Sequence, residues 1–131
     1  MGAVAGPMIV KTMLTAMIHD LNFKINIEMD KLMMLSQRSI WIGNMKSQAM
    51  MNMTTGMQNV TGDKLQVATA QMNAQMAQYE QMEKAIAAME KQIEMKKQRL
   101  EQQLKQAETR KESNDKILEK NTKDAFTLNV G

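Results

Sequence analysis

Apolar and polar positions alternate along this chain with the period of a helix over two long stretches. From Met8 to Ile42 no Gly or Pro interrupts the sequence, and Val10, Leu14, Met17, Leu21, Ile25, Met29 and Leu32 step by three or four. That spacing places them on one helical face. Met13, Ile18, Met33 and Leu35 widen it, so this helix is expected to be more buried than a simple amphipathic one. Leu21 to Asp30 also alternates apolar with polar, the period of a half-buried strand. The helical pattern runs through both flanks, no turn signal separates them and no second strand offers to pair, so helix is predicted there.

The second stretch, 63–124, is free of Gly and Pro and rich in Gln, Lys, Glu, Ala and Met, which lose little side-chain freedom in a helix. At about 1.5 Å per residue it makes a rod of roughly 90 Å, too long for the interior of a globule. Met72, Met76, Tyr79, Met82, Ile86, Met89 and Ile93 step along it as one side of a coiled coil does. After Lys96 and Lys97, Leu100, Leu104 and Ala107 resume in a shifted phase, a slip expected to unwind or end the pairing.

Between the helices, residues 43–62 change composition. Gly43-Asn44, Thr54-Thr55-Gly56 and Thr61-Gly62 are turn or cap signals, and Lys46 to Met53 has room for two helical turns between them. Asp63 is the expected cap of the second helix. Residues 1–7 read as a flexible arm, with Pro7 near the first turn of helix one. The tail 125–131 turns apolar again and alternates, which calls for a partner. The predicted organisation is therefore all-α: an arm (1–7), an apolar helix (8–42), a bend (43–62), a long coiled-coil helix (63–124) and an apolar tail (125–131).

Composition narrows the function. Seventeen residues are Met, whereas Phe, Trp and Tyr together number four. Such a chain has little rigid aromatic area for a compact core, but its thioethers adapt to long helix–helix seams. Seventeen basic and fourteen acidic residues are well mixed, leaving no strong field for nucleic acid or anionic lipid. The second helix carries Glu80/Lys84, Glu101/Lys105, Glu112/Lys116 and Glu119/Lys123 at neighbour spacing, which a solvated face explains.

With no Cys, disulfides and thiolate chemistry are excluded. The first residues lack a basic leader, and the apolar run after them is broken by Lys11 and His19-Asp20. No secretory signal or membrane span is therefore expected. Gly6 stands where a myristoylation signal wants Ser or Thr. The sequons at Asn52 and Asn59 read as chance matches. His19 is followed by Asn22 and Phe23 where a second ligand belongs, so no metal site is expected. No phosphate loop, nucleophile motif or paired carboxylates in a cleft appear, and no enzyme or cofactor is expected.

Two classes remain. The first is a structural subunit that assembles with copies of itself. Helix one, at about 50 Å, covers about half of helix two, and its apolar face is too wide for one partner. The self-association face is expected at Val10, Leu14, Met17, Leu21 and Ile25 on helix one and at Met72, Met76, Tyr79, Met82, Ile86, Met89, Ile93, Leu100 and Leu104 on helix two. The second class is a cytosolic coiled-coil adaptor for a different protein, or a helix lying on a membrane, which the mixed charge disfavours.

The apolar helix Met8–Ile42, the bend Gly43–Gly62 and the coil Tyr79–Ala107 with the tail Phe126–Gly131 together resemble filament subunits exported by type III secretion systems and the core helices of flagellins. The resemblance implies two terminal helices packed as an antiparallel coil that lines a hollow polymer, in an extracellular appendage exported without a cleaved signal. It rests on architecture rather than a motif, so no residue role carries over. The Met richness and the alternation at Leu21–Asp30 lie outside it.

Overall fold

The computed structural model describes residues 2–130, with side chains from Ala3 to Thr127. The fold is an all-α helical hairpin: α1 spans Gly2–Met57, α2 spans Asp63–Val130, and the two pack against each other. The chain divides into two compact units, Met1–Met29 with Met95–Gly131, and Asp30–Glu94.

Helix one is longer than the sequence pattern predicts at both ends. Residues 2–7 are helical rather than an arm, and Gly43 and Thr54-Thr55-Gly56 lie within α1 rather than in a bend. The threonines stay helical because each hydroxyl finds an acceptor one turn back. Thr54 Oγ1 donates to the Met50 carbonyl at 2.8 Å, and Thr55 Oγ1 to the Met51 carbonyl at 2.9 Å. With 56 residues in α1 and 68 in α2, the length mismatch expected between the helices largely disappears. Leu21–Asp30 is helix throughout, because the seam claims Leu21 and Ile25 and leaves Phe23 and Ile27 outside.

The turn itself is only residues 58–62. α1 closes with tight bonds from Gln58 N–H to the Thr55 carbonyl and from Val60 N–H to the Met57 carbonyl. Gly62 then adopts φ +67°, and its carbonyl accepts from the N–H groups of Leu65 and Gln66. Gly62, not Asp63, therefore holds the capping position, and the Asp63 carboxylate sits in the first turn, where the helix dipole favours it. α2 continues through the tail to Val130. Phe126 is exposed, and the expectation for Leu128 and Val130 lies outside the described side chains.

Gly43 and Gly62 make opposite demands. A Cβ at Gly43 meets nothing within 4 Å and sits on exposed helix. Gly43→Ala should therefore raise stability by about 0.5–1 kcal/mol. Gly62→Ala should lower it by about 1–2 kcal/mol, the cost of a side chain in left-handed backbone. Thermal melts of both variants check the contrast in sign.

Candidate interaction surface

Burial along α1 recurs strictly by threes and fours: Leu14, Ile18, Leu21, Ile25, Glu28, Leu32, Leu35, Ser39, Ile42, Lys46. Along α2 the same repeat runs Met72, Met76, Tyr79, Glu83, Ile86, Glu90, Ile93, Lys97, Leu100, Leu104, Ala107, without a break. This is the seam spacing of paired helices. The phase slip expected at Lys96–Lys97 is absent: Ile93, Leu100 and Ala107 lie seven apart on one line, and Lys97 holds a half-buried seam position between them.

The sequence pattern and the seam part company where apolar residues flank the seam and polar residues occupy it. Leu14, Leu21, Ile25, Met76, Ile86 and Leu100 are buried, and Met72, Tyr79, Ile93 and Leu104 half-buried. Val10, Met17, Met82 and Met89 are exposed, as is Met29. Glu83 and Glu90 take the places expected for Met82 and Met89, one residue along, because a heptad line fixed by Ile86 and Ile93 requires them there. In one unit Leu21, Ile25, Leu100 and Ala107 form the core with Ile18 and Leu104 against it; in the other, Leu35, Ile42 and Ile86 do so with Tyr79 and Ile93. The residues expected to bind a second copy are thus partly spent inside the hairpin.

Several polar residues in the seam find partners across it. Glu28 is almost fully buried, and its Oε1 lies 3.2 Å from Lys96 Nζ. Lys46 Nζ lies 3.6 Å from Glu83 Oε1. Pro7 sits inside α1 and lacks the N–H that would serve the Ala3 carbonyl one turn earlier. Asn121 Nδ2 donates to that carbonyl at 2.7 Å, and Asn114, one heptad before, donates to the Pro7 carbonyl at 2.7 Å. α2 thus supplies the donor that proline removed from α1. Of the charge pairs expected along α2, Glu112–Lys116 closes at 3.7 Å, whereas Glu101 turns back to Lys97 at 3.8 Å.

The surface outside the seam is unequal. Among the described residues, fifteen large apolar side chains are exposed on α1 and seven on α2. Trp41 is 60% exposed, and Met33, Met34 and Ile40 are similarly open. His19 is exposed. Among the described residues no group of His and carboxylates is placed to hold a metal, and no helix is long and apolar enough to cross a membrane. The larger hollows are open grooves along the helices. No family model, curated protein or solved structure matches the chain.

Two substitution pairs test this assignment. Ile86→Asp puts a charge at a buried seam position and should cost about 3–5 kcal/mol, whereas Met82→Asp, at a site already 48% exposed, should stay within about 0.5 kcal/mol. Denaturant titration of both reads the difference; equal losses would move the seam one residue. In a double-mutant cycle, Asn121→Ala should cost about 1 kcal/mol more with Pro7 present than with Pro7→Ala, because an alanine at 7 restores the backbone donor.

Proposed function

We propose that this chain is a structural subunit that assembles with copies of itself, through helix packing, into an open-ended homopolymer of the kind that forms a filament. The observation that carries this reading is the exposed apolar surface of α1. Its seam is already served by α2, yet Met33, Met34, Ile40 and Trp41 still face outward. Burying one such side chain in a contact contributes about 1.5–3 kcal/mol, so a row of them drives association strongly. Met, with its flexible thioether, suits contacts that repeat along an assembly and differ slightly from copy to copy. An extracellular appendage like those named above is one place for such a polymer.

Sedimentation together with negative-stain microscopy of the purified chain tests the reading. Polymers are expected, with a thermal midpoint that climbs over about a hundredfold rise in concentration. A single monomeric species whose midpoint stays fixed over that range overturns it.

A further inference from the structure

Among the described residues, the methionines that are not exposed are Met53, Met57, Met72 and Met76. All of them flank the turn, within the unit Asp30–Glu94. The register of the seam pairs them. Lys46 Nζ meets Glu83 Oε1 at 3.6 Å, and in antiparallel helices each step toward the turn on α1 is matched by one on α2. One heptad on, Met53 stands opposite Met76, and one turn further Met57 stands opposite Met72. A hollow of about 280 Å³ lined by Met45, Met53, Gln75 and Tyr79 borders this cluster. Packing alone does not call for thioethers here, since farther from the turn in the same unit the seam uses Leu32, Leu35, Ile42, Ile86 and Ile93. Charge also drops away: between Lys46 and Glu80 the sequence carries only Asp63 and Lys64, amid Gln, Asn, Thr and Ala.

We infer that the closed end of the hairpin is a binding site for a soft monovalent cation, Cu(I) or its analogue Ag(I), held by the thioether sulfurs of Met53, Met57, Met72 and Met76. The donor class selects the ion. Thioether sulfur is a soft, uncharged ligand that favours Cu(I). Zinc asks for thiolate, imidazole or carboxylate, and calcium and magnesium for oxygen ligands, carboxylates above all. The chain has no Cys, and between Lys46 and Glu80 it has no His and Asp63 as its one carboxylate. A neutral ligand set in neutral surroundings leaves the charge of the ion uncompensated, so one positive charge is held at lower cost than two. The three rotatable bonds of each methionine let sulfurs from both helices converge on one ion while the backbone stays in place. Met76 is buried and holds the inner side of the site, whereas Met53 lines the hollow and gives the ion its way in. The site belongs to a single chain and stands whether or not copies assemble.

Anaerobic titration of the full-length chain with Cu(I) against the chromogenic chelator bicinchoninate, and calorimetry with Ag(I), test the site. Saturable binding is expected for both ions, undisturbed by about a hundredfold excess of Zn(II). X-ray absorption of the Cu(I) form should show sulfur neighbours alone. Met53→Leu with Met76→Leu keeps the apolar volume and removes two sulfurs, so the fold should survive, as circular dichroism reads. Affinity should fall about tenfold or more in that variant. Met33→Leu with Met34→Leu, on the exposed face of α1, should leave it within about twofold. Should the first pair lower helicity, Met57→Leu with Met72→Leu carries the same comparison. Binding should also raise the thermal midpoint of the unaltered chain and leave that of the seam variant unmoved. Absence of saturable binding, nitrogen or oxygen neighbours in the absorption spectrum, or a loss no larger in the seam variants than in the surface pair overturns the site.

Discussion

Everything in this hairpin depends on the seam keeping a 3.5-residue repeat on both helices. The repeat is so strictly kept that it overrides residue type. Glu28 takes a core position between Ile25 and Leu32, Lys46 one between Ile42 and Ala49, and Glu83 and Glu90 take two more, although methionines stand directly beside the last pair. A buried carboxylate is costly to desolvate, and replacing such a pair by apolar residues is often neutral or stabilising. What Glu28 and Lys96 gain for the fold is therefore better sought in register than in strength. A sliding α2 would separate Glu28 from Lys96, and Asn121 from the carbonyl that Pro7 leaves open, so each polar contact makes one alignment better than its neighbours.

The helical class was legible because propensity, the absence of breakers and a three–four spacing agreed over long stretches. The seam was less so, for a physical reason. α1 carries more apolar residues than one seam uses, so apolar periodicity alone fits several faces, and the face through Val10, Met17 and Met29 looks as good as the one through Ile18, Leu21 and Leu35. On α2 the reverse holds: hydrophobicity favours Met82 and Met89 over Glu83 and Glu90, and a seam drawn through the methionines slips at Lys97. The signal that resolves both lies in lines of residues seven apart, such as Leu14, Leu21, Glu28, Leu35 and Ile42, or Tyr79, Ile86, Ile93, Leu100 and Ala107, with polar residues allowed in them. The bend is shorter than its Gly and Thr content suggests, because a helical Thr that bonds to the carbonyl four residues back loses its tendency to form turns.

Methionine ties the seam to the surface. Among the described residues few methionines are buried: Met76 is in the core, while Met8, Met13, Met33, Met34 and Met51 are largely open. If the seam alone had shaped the composition, the branched and γ-branched residues that occupy it, Leu and Ile, would be the natural choice throughout. The thioethers instead collect where α2 does not reach, chiefly on α1, and a flexible, polarizable side chain there suits the proposed contact between copies.

Apolar area and charge have separate duties on such a surface. Exposed Met, Ile and Trp supply an attraction that is strong but indifferent to orientation, so on their own they favour disordered clumping as readily as an ordered row. Charge contributes less affinity but discriminates among arrangements, because like charges brought together are penalised far more than an exposed opposite pair is rewarded. The seam line that draws Glu83 and Glu90 inward also fixes where Glu80 and Glu94 emerge, so the repeat that holds the hairpin together sets the order of charge along its surface.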